Sequence, residues 1–341
     1  MRTQRAAIKA IRSYLPAGKL TNEQLAKEYG EITPNSILQK TGVAVRNVAA
    51  VDECASDLGV IAARHLFESG ACSPEEIDFL LLCTQSPDYF TPTTACVMQE
   101  RLKLRTDCGA IDINQGCSGY VYSLAVAKSL VETDLAQNVL LVTADTYTKF
   151  INPRDRTLRM LFGDGAAATL VSAVETDEDL IGPFIFGTDG RGERQLIVPA
   201  GGLRKPIDAE AGVDKEDEQG NWRSERNLYM NGGEIFNFTL RTVPRALDEL
   251  LEKSGRRLDE VDYFVPHQAN RFMLERLRAR MKIPAEKFYI GMENSGNTVS
   301  STIPIAFENA LSQGHIKAGQ RVALLGFGVG YSWAATMMQV V

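Results

Sequence analysis

Glu75-Glu76-Ile77-Asp78-Phe79 leads into Leu80-Leu81-Leu82-Cys83, and Asp259-Glu260-Val261-Asp262-Tyr263 leads into Phe264-Val265-Pro266. Both segments place paired acids, an aliphatic residue, an aspartate and an aromatic residue at the mouth of a short apolar strand. Roughly forty residues further on, a glycine turn opens a helix-like segment, at 116–119 in the first case and at Gly296-Asn297 in the second. A second apolar strand follows each, at 138–144 and at 321–325. Corresponding features stay about 180 residues apart throughout, and order and spacing kept together mark an internal repeat. Each copy reads as strand, crossover, buried helix, strand, the alternation that builds a mostly parallel sheet with helices on its faces.

Two halves related by a pseudo-twofold axis are therefore expected, over residues 1–172 and 173–341, with the apolar run 166–171 near the end of the first. No Pro/Ser-rich linker separates them, so they should form one fused body. A chain of 341 residues with 44% hydrophobic content can bury a large core, which excludes small disulfide scaffolds. No apolar run approaches the ~18–20 residues that span a bilayer, so a soluble protein without membrane partners is expected. The basic start, residues 1–16, lacks the apolar core and cleavage site of a signal peptide, and its alternation before Pro16 reads as a first strand.

The balance of 37 Lys and Arg against 43 Asp and Glu, a net charge of -6, argues against a general nucleic-acid binder. Cysteines stand at 54, 72, 83, 96, 108 and 117, with no pair at zinc-ligand spacing. Neither a metal site nor a disulfide framework is indicated, and reduced thiols in a cytoplasm are expected. Residues 201–227 are acidic with little apolar content and read as a solvated loop without chemistry.

Gln115-Gly116-Cys117-Ser118-Gly119-Tyr120 follows a strand and precedes a buried helix. A cysteine at a helix start faces unpaired N–H groups and the positive dipole end, which favour a thiolate, and flanking glycines let a carbonyl approach. The other five cysteines read as structural. Ser118 competes as nucleophile, but a G-x-S-x-G elbow would need glycine where Tyr120 stands.

Of three histidines, His65 lies in an ordinary helix and His315 in a polar turn. His267 ends an apolar strand, at the carboxyl edge where sites of parallel sheets collect. Asn297 occupies the position in the second half that the Cys117 turn occupies in the first; alone it would read as a helix cap. Gly326-Phe327-Gly328-Val329-Gly330 is not a dinucleotide loop, because the sixth position is Tyr331 and only ten residues remain. It reads as a tight turn whose backbone N–H can face a reacting oxygen.

A cysteine, a histidine and an asparagine on three loops of a duplicated α/β chain resemble the thiolase superfamily, most closely the β-ketoacyl-acyl-carrier-protein synthase III family. The shared motifs span nearly the whole chain: Ser13-Tyr14-Leu15-Pro16, Lys40-Thr41-Gly42-Val43, Cys117-Ser118-Gly119, Phe162-Gly163-Asp164-Gly165-Ala166, Val265-Pro266-His267-Gln268-Ala269-Asn270, Gly296-Asn297-Thr298 and Gly326-Phe327-Gly328. The resemblance implies a thiolase-like duplicated fold whose pseudosymmetric halves each carry a mixed, mostly parallel sheet, packed as αβαβα layers. It implies that Cys117 accepts an acyl group, that His267 and Asn297 polarise a malonyl thioester during decarboxylation, and that the N–H groups of Cys117 and Val329 form an oxyanion hole.

The same resemblance implies substrate contacts from Lys40, Phe90, Arg156 and Asn270, and docking of acidic acyl carrier protein on Arg271, Arg276 and Arg278. It further implies a homodimer, acyl-coenzyme A or acyl-carrier protein as substrates, no bound cofactor and no metal. Three positions depart from the family pattern. Ser36 stands where a tryptophan commonly stacks on adenine, Phe272 where a basic residue is usual, and Asn237 where a lysine is usual. A longer or unusual acyl donor is thereby left open, in fatty-acid or secondary-metabolite synthesis.

Two other functions use the same residue types. A Cys-His-Asn hydrolase or acyltransferase would pass the acyl group to water, an alcohol or an amine, with His267 as base for the thiol. Malonyl-dependent release of carbon dioxide separates it from a condensing enzyme. An inactive dimer partner or carrier-binding module would show no acyl adduct on any thiol.

Overall fold

The two apolar repeats form corresponding strands of two sheets, the first inside a five-stranded sheet and the second at the end of a four-stranded one. In the computed structural model, which describes residues 4–328 and 330–341, Phe79–Cys83 pairs in parallel with Gly109–Ile113 and with Asn138–Asp145. Gly165–Glu175 runs antiparallel to Asn138–Asp145, and Gln4–Tyr14 closes that side antiparallel to it. In the second sheet Tyr263–Pro266 pairs in parallel with Arg321–Gly328, followed by antiparallel Ser332–Gln339 and Ile181–Thr188. The counterpart of Gly109–Ile113 shrinks there to one parallel bridge, Phe264 to Phe288. The chain passes from one sheet to the other between Glu175 and Ile181.

The sheets are mixed, with antiparallel pairing concentrated in the later strands of each half. In the second half the reason is local: the connection after Gly328 is too short to hold the crossover helix that parallel neighbours require.

Gly119–Glu132 and Thr302–Ser312 lie between the sheets and touch strands of both. Each helix carries few charges, as a helix held mostly between two sheets must, although Val126 and Ser129 of the first reach the surface. Tyr120, Leu124, Ile303 and Phe307 pack there with strand residues such as Leu141 and Leu324 in one core cluster. Ala55–Glu68 and Thr94–Leu102 cover the outer face of the first sheet, Gly232–Ser254 and Arg271–Arg280 that of the second. The layers thus read helix, sheet, helix, sheet, helix. Among the described residues no helix is long and apolar enough to cross a membrane.

The acidic segment 201–227 is more ordered than a solvated loop. Lys215–Glu216 and Trp222–Arg223 pair as a short hairpin, and Ala211 and Asn221 are buried. Three of its acids hold ion pairs: Asp214 pairs with Arg154 at 2.7 Å, Asp217 with the mostly buried Arg223 at 2.9 Å, and Glu225 with Lys205. Charge spacing alone does not distinguish paired acids from wet ones.

Candidate active site

Cys117 lies in the turn between Gly109–Ile113 and the central helix Gly119–Glu132. Gly119 N–H donates to the Gly116 carbonyl at 2.7 Å, closing the turn that carries the thiol into the helix. The last residues of Arg321–Gly328, from the other half, lie against this turn. A Cβ at Gly326 would stand 2.8 Å from Ser118 Cα, so only glycine permits the approach. Ser118 is fully buried, with its Oγ 2.6 Å from Ser332 Oγ, and does not line the cavity next to Cys117.

His267 follows the strand Tyr263–Pro266, held by its backbone N–H donating to the Leu325 carbonyl at 2.7 Å. Its ring is buried edge-on to Phe327, at 5.3 Å between centroids. Nδ1 lies 2.6 Å from Thr302 Oγ1. Burial without a charged neighbour lowers the imidazole pKa from 6.5 to about 3, so the ring is neutral at physiological pH.

Asn297 precedes the 3-10 turn Val299–Ser301 that enters the second central helix. Its backbone is strapped to the 161–163 segment: Asn297 N–H donates to Leu161 O at 2.9 Å, and Gly163 N–H to Asn297 O at 3.0 Å. Val299 N–H donates to Asn297 Oδ1 at 2.9 Å. A backbone N–H can only donate, so the amide oxygen is committed and Nδ2 is the end left to serve as a donor.

Cys117, His267 and Asn297 line one cavity of about 70 Å3. Leu161, Phe162, Leu196, Met230, Ile235 and Met273 make the rest of its wall largely apolar. A thiol beside two neutral polar side chains, in an apolar cavity, suits capture of an acyl group and stabilisation of a developing oxyanion. Phe162 opens a motif already singled out, but the other wall residues come from segments without one, and sequence reasoning did not find them.

The thiol itself is less acidic than a helix start alone suggests. Burial, followed by the charge of Asp145, pushes its pKa well above the usual value and outweighs the backbone hydrogen bond that favours the thiolate. The thiol is therefore protonated at physiological pH. Asp145, also missed in the sequence, is fully buried, and burial raises its pKa to about 7. It accepts hydrogen bonds from Ser300 Oγ at 2.5 Å, Ser300 N–H at 3.2 Å and Gln85 N–H at 2.8 Å, joining loops of the two halves. Hydroxyls at 300–302 opening an otherwise apolar helix were the available signal.

The remaining expected residues are dispersed. Asn270 lines the cavity and caps the next helix, its side chain accepting from Met273 N–H at 2.8 Å. Arg156 pairs with Glu31 at 3.1 Å and lies 5.4 Å from the Tyr29 ring. Lys40 is on the exposed side of Pro34–Thr41, and Phe90 is 88% exposed on a loop; neither lines the cavity. Arg271 pairs with Glu293 at 3.0 Å, Arg278 pairs with Glu275 and donates to Ile283 O, and Arg276 lies over the Phe272 ring. Ser36 belongs to the capping box at Thr33, and Phe272 stacks on Phe236 at 5.7 Å. Val329 lies outside the described residues.

Comparison with known proteins matches this chain to two family models, 3-oxoacyl-[acyl-carrier-protein] synthase III over residues 111–190 and the C-terminal part of the same enzyme over 251–340. A β-ketoacyl-[acyl-carrier-protein] synthase III of Caldanaerobacter subterraneus is 36% identical, covering 98% of this chain and 97% of that protein. The crystal structure of a 3-oxoacyl-(acyl-carrier-protein) synthase III superposes with a TM-score of 0.97 at 52% identity, covering 98% of this chain and 99% of that one. A 3-oxoacyl-(acyl-carrier protein) synthase of Burkholderia xenovorans superposes with a TM-score of 0.90 at 37% identity, covering 100% of this chain and 95% of that one.

Proposed function

The chain belongs to the 3-oxoacyl-[acyl-carrier-protein] synthase III family of condensing acyltransferases, and from that premise we propose that Cys117 carries the acyl group while His267 and Asn297 stabilise the enolate that condenses with it. The reaction joins an acyl thioester to malonyl-carrier protein with loss of carbon dioxide, giving a 3-oxoacyl-carrier protein.

The Cys117 sulfur attacks the incoming thioester, the acyl group moves to it, and the thiol proton leaves with the departing thiol. Malonyl thioester then loses carbon dioxide, and the electron pair of the broken bond becomes an enolate whose oxygen needs donors in place beforehand. The enolate carbon attacks the Cys117 thioester, forming the carbon–carbon bond and returning the sulfur, which takes a proton from solvent. Splitting the condensation through a covalent thioester replaces one difficult step by two easier ones.

The observation that carries this reading is the electrostatic state of His267: buried, neutral down to about pH 3, and with a hydroxyl rather than a carboxylate at Nδ1. That is the setting of a neutral donor, not of a base that must hold a positive charge. The substrates are acyl-coenzyme A or acyl-carrier protein, with Asn270 at the cavity and Arg156 and Lys40 outside it, and the basic helix Arg271–Arg280 as carrier dock. A homodimer is supported by the edge position of Gly109–Ile113 in its sheet, with Ile111 41% exposed on it. Free thiols at all six cysteines fit a reducing cytoplasm.

Incubation with a panel of acyl-coenzyme A and acyl-carrier donors, followed by intact mass, should show one acyl adduct that Cys117→Ala abolishes. Addition of malonyl-carrier protein should then discharge the adduct with release of carbon dioxide. An adduct surviving in Cys117→Ala, or discharged to water without malonate, overturns the reading.

A further inference from the structure

The role given to His267 depends on which ring nitrogen holds its single proton, and the structure contains a group that can decide it. Nδ1 lies 2.6 Å from Thr302 Oγ1, and the same hydroxyl lies 3.0 Å from the Val299 carbonyl oxygen. A hydroxyl has one proton to give. If it goes to Val299, the proton of the shorter contact must come from Nδ1, and Nε2 is left as a bare acceptor. If it goes to Nδ1, the ring proton sits on Nε2, and the histidine is a donor.

Three observations favour the second arrangement. The Val299 carbonyl already accepts the Thr302 backbone N–H, so it is not orphaned when the hydroxyl turns away. The 3.0 Å separation is at the long end for an O–H donor, whereas 2.6 Å is a close contact. Finally, a carboxylate at Nδ1, as in nucleophile–base triads, can only accept and would force the proton onto that nitrogen. A threonine hydroxyl can donate.

We propose that Thr302 is a positioning residue that donates its hydroxyl proton to His267 Nδ1 and thereby holds the neutral ring as the Nε2–H tautomer. The inference rests on His267 acting as an enolate donor. It also ties the two donors to one turn. Val299 has φ 55°, a left-handed conformation costly for a β-branched residue. Its N–H fixes the Asn297 amide, and its carbonyl is the alternative acceptor for Thr302.

Histidine-selective 15N labelling tests this directly, since the chain has only His65, His267 and His315. The His267 signals, identified by their loss in His267→Asn, should show protonated Nε2 and unprotonated Nδ1 at neutral pH. Thr302→Val should lose that fixed tautomer and slow malonyl-dependent release of carbon dioxide roughly tenfold or more, with a much smaller effect on acyl capture. Thr302→Ser should restore both. A wild-type spectrum with the proton on Nδ1 overturns the proposal even if Thr302→Val does not fold, as does a Thr302→Val enzyme that keeps the Nε2–H form and its rate. If His267→Ala releases carbon dioxide at the wild-type rate, the donor reading itself fails, whatever Thr302 does.

Discussion

Gly328 stands so close to Cys117 that a Cβ built at position 328 would lie 2.7 Å from Cys117 Cβ and 3.1 Å from its sulfur. The neighbour is the root of a side chain fixed at a turn, which cannot swing away as the end of a long chain could. Gly328→Ala must therefore move either the thiol or the strand end. We expect a loss of about 1–3 kcal/mol of stability from overpacking and a clear fall in the rate of acyl capture. Denaturant midpoints and the time course of the mass adduct measure both, and an alanine variant that loads at the wild-type rate would contradict the packing argument.

His267 makes a signed prediction about pH. In the unfolded chain it binds a proton below 6.5, and in the native state only below about 3. Native stability on its account is complete above 6.5 and declines as pH falls toward about 3, by at most about 1.4 kcal/mol per pH unit. His267→Asn should remove this slope, read as the change in urea midpoint with pH. Carbon dioxide release should show no histidine titration near 6.5 in the wild-type enzyme.

Much of the fold was legible because the signals were periodic and repeated. The strand Phe79–Cys83 starts one residue before the apolar run Leu80–Cys83 and ends with it, and the near-constant spacing of two segments implied two sheets around buried helices. Cys117, His267 and Asn297 could be singled out because each sits where a strand or turn meets a helix, and all three line one cavity. The cavity wall was not legible: Leu196, Met230 and Ile235 are ordinary apolar residues whose neighbours in space are remote in sequence. Nor was the protonation of Cys117, since a helix start is visible in a sequence but the depth of burial that opposes it is not. Thr302 was hidden in a run of hydroxyl residues that reads equally well as a cap.

Asp145 predicts a slope opposite to that of His267. Burial raises its native pKa from 3.8 to about 7, so its contribution is fully present below 3.8 and is lost as pH rises through about 7. The two residues therefore oppose each other between 3.8 and 6.5. Asp145→Asn should make the wild-type loss of stability on acidification steeper. It should also lower stability by about 1–3 kcal/mol, because an amide NH2 cannot accept from both Gln85 and Ser300. An unchanged slope would mean that the carboxylate is ionised throughout.

Arg156 is one of two basic residues proposed to contact the donor, whose coenzyme A form is anionic, yet its guanidinium already pairs with Glu31 at 3.1 Å, on a surface where both side chains are exposed. An exposed pair of this kind is worth about 0–1 kcal/mol, so the competition it poses to an anionic donor is a few-fold at most. Glu31→Gln should release the arginine and lower KM for acyl-coenzyme A by that factor, leaving kcat unchanged. Arg156→Ala should raise KM in the opposite direction, and both effects should shrink as salt screens the phosphates. If both variants leave KM for acyl-coenzyme A unchanged at low salt, Arg156 does not meet the donor. The missing adenine stack at Ser36 would then point to a carrier-bound acyl group as donor.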